Sequence, residues 1–145
     1  MSEKLPNIIY ILGDDHRAEQ LGCRDHPILQ TAHLDALARD GVLFTNAFCT
    51  SPACTPSRTS HYTGQWERKH GINFNSGSSL APDAWEKSFP MQLKQAGYFL
   101  GWVGKNHVPV GGGQSGYDSG YFEEVFDYWY GSHGHSGFYP KEQAG

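Results

Sequence analysis

Residues 48–65 read FCTSPACTPSRTSHYTGQ. At their centre, CTPSR (54–58) sets a cysteine, a proline, a serine and an arginine together where a helix is about to begin. The positions of Pro56, Ser57 and Gly64 predict a helix over 57–64, although the apolar periodicity there is poor. Cys54 would then stand just ahead of the helix, where unsatisfied N–H groups and the dipole favour an anion. Arg58, four residues on, is spaced to stabilise a charged nucleophile or clamp an oxyanion. Pro56 restricts the backbone of Thr55 and helps fix the turn. The same residues also fit a buried cysteine in a proline-rich turn with a surface arginine.

The flanking sequence points to alternating strands and helices. IIYIL (8–12) is a continuous apolar, β-branched run of the kind found in a buried parallel strand, and it ends in Gly13-Asp14-Asp15-His16. A helix is expected after Thr31, with Leu34, Leu37 and Ala38 as its apolar stripe and Gly41 at its close. VLF (42–44) reads as a short strand. SFPMQLKQAG (88–97) reads as a helix stopped by Gly97, and YFLGWVG (98–104) as a strand leading into Lys105-Asn106-His107. A tight or flexible loop is expected over 109–120, and a short helix or packed loop over 122–131. Residues 132–145 show no evident element. This order predicts an α/β sandwich with a mostly parallel sheet. Three strands are few for such a sheet, so the chain is expected to be a fragment.

Composition narrows the classes. The chain has 145 residues, enough for one domain with a core. Its 11 Lys and Arg against 15 Asp and Glu are scattered, which argues against a nucleic-acid partner. The first residues, MSEKLPNIIYILGDD, carry an apolar run too short for a signal peptide, and no stretch is long enough to span a membrane. The expected location is cytoplasmic, or periplasmic or secreted if a leader has been removed. Cys23, Cys49 and Cys54 do not make a disulfide framework, and a Cys49–Cys54 bridge is the one pairing their spacing leaves open.

Two further clusters can carry chemistry. Adjacent carboxylates at Asp14 and Asp15 repel unless a positive charge sits between them, so the pair reads either as a solvated turn or as oxygen ligands for a hard divalent cation. Lys105 and His107, two apart at a strand end, offer a fixed positive charge and a titratable donor, or else form a surface turn. His133 and His135 could form a weak metal pair, but in a Gly/Ser-rich stretch they read as solvent-facing and are set aside, and Cys23, His26 and His33 lack zinc spacing.

CTPSRTSHYTG (54–64) resembles the sulfatase signature: Cys, any residue, Pro, Ser, Arg, four residues, Thr, Gly. PNIIYILGDDHR (6–17) is similar to the family's first strand and metal-binding Asp pair. HLDALARDGVLFTNAFCTSPACTPSR (33–58) resembles the approach to the signature, GYFLGWVGKNHV (97–108) the segment with the family's Lys and His, and VFDYWYG (125–131) an aromatic segment after it. The resemblance spans nearly the whole chain but only the N-terminal part of a sulfatase. It implies an alkaline-phosphatase-like three-layer α/β sandwich, incomplete in these 145 residues. The missing remainder of the polypeptide would supply a second pair of metal ligands, another His and Lys, and the rest of the sheet. The chain alone is therefore expected to be inactive.

The resemblance also implies a chemistry. A maturing, formylglycine-generating enzyme would oxidise Cys54 to formylglycine, whose aldehyde hydrates to a gem-diol. One hydroxyl would attack the sulfur of a small-molecule or carbohydrate sulfate ester, and the second would expel sulfate. Calcium, or another divalent cation, would bind Asp14, Asp15 and the modified Cys54. Arg58 would orient the diol, Lys105 would hold a sulfate oxygen, and His107 would contact diol or sulfate. Asn106 stands where the family often has Trp, a change expected to alter packing or the substrate rim. His61, Tyr62 and Trp66 are expected to help shape the pocket. A phosphonate or phosphate ester hydrolase of the same superfamily, or a non-catalytic sulfatase-like binding domain, are the alternatives.

Overall fold

The computed structural model describes residues 5–73, 77–111 and 120–134. The chain divides into two compact units, Met1–Ala47 and Phe48–Gly145. In the first, a short 3-10 turn, Gly22–Arg24, precedes helix α1, Ala32–Asp40. Thr31 holds the expected cap position, but its hydroxyl is used elsewhere. It accepts from the Gly22 N–H at 2.7 Å and donates to Asp35 Oδ1 at 2.8 Å. Asp35 Oδ1 also accepts from the Cys23 N–H at 2.9 Å. The Thr31 hydrogen bond, then that from Cys23, holds the Asp35 carboxyl below the usual carboxylate range. Gly41 ends α1 as expected, its N–H donating to Leu37 O at 2.9 Å, but at φ −120° and not in a left-handed conformation.

The strands expected at 8–12 and 42–44 are not formed. A β-branched run favours a pleated chain, but a strand exists only where a neighbour takes up its backbone hydrogen bonds. Among the described residues no strand pairs with either run. Their apolar side chains stay open: Ile9 is 85% and Phe44 78% exposed.

The second unit holds the core. Helix α2, Cys54–Thr63, is followed by the single turns α3, Glu67–His70, and α4, Pro82–Trp85. Helix α5, Phe89–Gln95, begins with Pro90 in its first turn, where a missing N–H costs nothing. Gly97, at φ 91°, then turns the chain out of it. Strand β1, Gly101–Lys105, starts later than expected, because the Leu100 N–H donates to Asp127 Oδ2 at 2.8 Å. That bond, then one from Lys94, holds the Asp127 carboxyl below its ordinary range. After α6, Tyr121–Val125, comes strand β2, Tyr128–Ser132, which pairs in parallel with β1 from Gly101↔Tyr128 to Lys105↔Ser132. The segment expected as helix or loop over 122–131 is thus a helix and a strand, and β1, α6 and β2 make one β-α-β unit. Residues 112–119 of the expected glycine-rich loop and residues 135–145 lie outside the described residues.

Aromatic rings fill the space between these elements. Tyr62 of α2 meets Trp102 of β1 at 5.1 Å between ring centroids. Trp85 stands edge-on to Phe122 of α6 at 4.9 Å, and Trp102 edge-on to Phe126 at 5.2 Å. Such offset and edge contacts suit the ring quadrupoles. Trp129 of β2 folds back over its own strand, and a Cβ at Gly131 would lie 2.4 Å from Trp129 Cζ2. Only a glycine leaves room for that ring. Gly131→Ala is therefore expected to destabilise the fold by about 1–3 kcal/mol, the range of overpacked sites. Urea denaturation followed by tryptophan fluorescence measures this, and an unchanged midpoint would show that the ring has no need of the space.

Candidate active site

The signature helix starts three residues earlier than its sequence suggests. Ala53, extended at φ −136° and ψ 151°, precedes it, and Cys54 is its first residue. Pro56 falls within the first turn, where its missing N–H has no intrahelical role to lose. Gly64 closes the helix at φ 65°, donating its N–H to Ser60 O at 2.9 Å. The spacing 54, 57, 58, 61 places these four residues along one face. Cys54 is half-buried, while Thr55, Pro56, Arg58 and Thr59 are buried.

Arg58 is a buried charge, 5% exposed. Its Nη1 donates to the backbone oxygen of Lys105, the last residue of β1, at 2.7 Å. This bond brings the signature helix and the Lys105–His107 segment together, two stretches 47 residues apart in sequence. The strand ends at Lys105, so side-chain alternation does not extend to His107. His107 instead takes a left-handed backbone at φ 55° and is buried.

Asp14 and Asp15 belong to the first unit, and Cys54, Arg58, Lys105 and His107 to the second. Both carboxylates are exposed, and Asp15 is left-handed at φ 52°. That turn removes the alternation that would send neighbouring side chains of an extended chain apart. Hard oxygen donors of this kind fit a calcium ion, and two of them supply part of its six to eight ligands. Among the described residues no cluster of three or more His, Cys, Asp or Glu side chains is assembled.

A groove of about 320 Å³ runs along α2, lined among others by Cys49, Ser57, His61, Gln65 and Trp66. Cys54 is not part of its lining. His61 and Trp66 are exposed along this groove, whereas the Tyr62 ring is buried in the aromatic core. All three cysteines are free, so the Cys49–Cys54 bridge is not formed; Cys49 Sγ lies 3.4 Å from Ser57 Oγ.

Two further histidines are ordered beside these elements: His133, which the sequence offers only as half of a weak metal pair, and His70, which no sequence motif marks. His133 Nε2 meets Glu123 Oε1 at 2.7 Å. Burial pushes the Glu123 carboxyl up, but hydrogen bonds, chiefly from His133, bring it below its ordinary value. His70 Nδ1 accepts from the Ile72 N–H at 3.0 Å, which leaves the ring proton on Nε2 to donate to Ser60 Oγ, also at 3.0 Å. No periodicity marks either contact in the sequence.

Burial pushes His70 below the ordinary histidine value of 6.5, against the opposing pull of Glu67. Above that value the ring is neutral in both folded and unfolded chains. Below it the unfolded chain takes up its proton first, so the stability tied to the neutral ring is lost as pH falls through the depressed folded value. Melting temperatures from about pH 7.5 to about pH 5.5 should fall less for His70→Gln than for the wild type. Equal falls would remove His70 as a source of acid sensitivity.

The geometry agrees with comparisons to known proteins. A profile of the family described as Sulfatase matches residues 6–142. An ulvan-active sulfatase of Formosa agariphila is 41% identical over 108 residues, covering 74% of this chain and 21% of that protein. Arylsulfatase D of Homo sapiens is 35% identical over 136 residues, covering 87% and 23%. An N-acetylgalactosamine-6-O-sulfatase of Bacteroides thetaiotaomicron is 41% identical over 108 residues, covering 73% and 21%. The chain thus spans about a fifth to a quarter of the length of the curated relatives it matches. The family's fold is alkaline-phosphatase-like, and the parallel β1–β2 pair with its intervening helix is a small α/β piece consistent with it. With the signature on the first turn of α2 and its arginine tied to the Lys105 segment, the chain belongs to the sulfatase family.

Proposed function

We propose that residues 1–145 are the N-terminal part of the catalytic domain of a sulfuric ester hydrolase that cleaves an aryl or carbohydrate sulfate monoester. The observation that carries this reading is Cys54 at the first position of a ten-residue helix, with the buried Arg58 one turn on. Conversion of Cys54 to formylglycine by a maturing enzyme would supply a hydrated aldehyde as nucleophile, and calcium or another divalent cation held by Asp14 and Asp15 would neutralise charge on it and on the sulfate.

The chain's own residues supply the rest. Backbone N–H groups of the first turn of α2 and the helix dipole favour negative charge at position 54. Arg58 shares the face of Cys54, and its planar guanidinium suits two-point recognition of an oxyanion. Its bond to Lys105 O fixes the guanidinium before any charge develops, which is how preorganised donors become effective. Lys105 would bind a sulfate oxygen, and His107 would hold or pass a proton beside the ester.

The supporting test is made on the full polypeptide carrying this chain. Peptide mass analysis is expected to show residue 54 about 18 Da lighter than a cysteine, the change from thiol to aldehyde. Cys54→Ala should abolish turnover of a sulfate monoester, and Arg58→Lys should lower kcat by about a hundredfold, as loss of one preorganised donor does elsewhere. A higher kcat/KM on a matched phosphate or phosphonate ester would favour that chemistry instead. An unmodified Cys54 with no turnover of any ester would leave a binding domain.

A further inference from the structure

Three side chains around the turn after β1, Asn106 in the turn, Glu123 on α6 and His133 after β2, are not used by the reading above. Asn106 is fully buried between Lys105 and His107. Its backbone N–H donates to Ser132 O, the last residue of β2, at 2.8 Å. Its Oδ1 accepts from the Val108 N–H at 3.1 Å, closing a short loop around His107. A backbone donor at that place requires the amide oxygen to face it. The amide nitrogen therefore faces Val108 O at 3.4 Å and His133 Nδ1 at 3.2 Å.

The rest of the proton order follows. His133 Nδ1 meets a donor and must accept, so the ring proton sits on Nε2. Nε2 donates to Glu123 Oε1 at 2.7 Å. Trp129 stacks on the same ring at 5.2 Å and 24°, which fixes its plane. The chain Glu123–His133–Asn106 has a single consistent set of donors and acceptors, and its last link spans His107. A left-handed backbone is unfavourable for a residue with a Cβ and persists where neighbours over-determine it.

We propose that Glu123 and His133 act through Asn106 as a brace that positions His107, locking the left-handed turn that carries it. They are positioning residues: none is asked to touch the ester. The proposal rests on the reading of His107 as a group that works beside the sulfate. It makes the residue between Lys105 and His107 part of a buried polar network and not a rim residue.

Two readouts test it on the full polypeptide. In the first, the protein is labelled with 15N-histidine and the His133 signals are assigned by their loss in His133→Gln. The wild type should show the proton on Nε2 alone. Asn106→Asp keeps an acceptor for the Val108 N–H but sets a second carboxylate against His133, so its ring should become doubly protonated at neutral pH. A wild-type Nδ1–H form, or an Asn106→Asp spectrum like the wild type, overturns the brace. In the second, sulfate-ester turnover is measured. Glu123→Ala should lower kcat by about tenfold with KM changed less than about threefold, because a displaced catalytic group affects the reacting geometry more than binding. Glu123→Gln, which still accepts from Nε2, should restore kcat to within about twofold of the wild type. Unchanged kcat in both Glu123→Ala and His133→Ala, or a rise in KM alone, overturns the positioning role. Should the wild type turn over no sulfate ester, the sulfatase reading falls, while the histidine spectrum still decides the brace.

Discussion

The hydrogen bond from Arg58 to the backbone oxygen of Lys105 governs the second unit. A guanidinium taken out of water is costly unless its N–H groups are matched, and a carbonyl at a strand end is a ready partner. Once that bond is made, the face of α2 that carries Cys54 and the end of β1 have a common anchor. The aromatic core forms under the same constraint, since Tyr62, one turn beyond Arg58, packs on Trp102 of the same strand. Site and core are therefore not separable here. The arginine proposed for chemistry also ties its helix to the end of the strand.

A second layer lies at the same end of the β1–β2 pair. The parallel register ends at Lys105↔Ser132, and the Asn106 N–H extends it by one bond to Ser132 O. Beyond that point the chain cannot continue as a strand, because His107 turns left-handed and the Asn106 side chain closes around it. Gly131 and Trp129 belong to the same arrangement: the missing Cβ lets the indole fold over the strand, and the indole covers His133. Small residues and buried amides decide the local geometry there more than hydrophobic pattern does.

The sequence was informative where spacing alone carries meaning. CTPSR and its distance to Thr63-Gly64 pointed to the family, and α1 and α5 were legible from caps and stops. The start of α2 lies ahead of the position that Pro56 suggests, because proline is tolerated inside the first turn. The runs at 8–12 and 42–44 showed the wish of β-branched residues to be covered, but pairing is a property of the neighbour and cannot be read from one segment. β2 was hidden because YWYGS has no apolar–polar alternation. Of the candidate site residues, the contact of Arg58 with the Lys105 segment is long-range and left no local mark. Asn106 is expected to alter packing or the substrate rim, and its full burial fits the first; the burial itself is not legible, since an Asn that satisfies its neighbours' backbone looks in sequence like any surface Asn.

The burial of the signature has a consequence for timing. Thr55, Pro56, Arg58 and Thr59 are inaccessible once α2 packs, and their backbone is wound into helix from Cys54 onward. An enzyme that reads Cys54 to Arg58 as a linear stretch needs those side chains and that backbone extended in its own cleft. If such an enzyme acts on this chain, it would have to meet it before α2 docks, or else wait for a local opening that breaks the Arg58 bond and uncovers Tyr62. Folding and the proposed maturation would then be in a race, with the closing of the aromatic core setting how long the cysteine stays available.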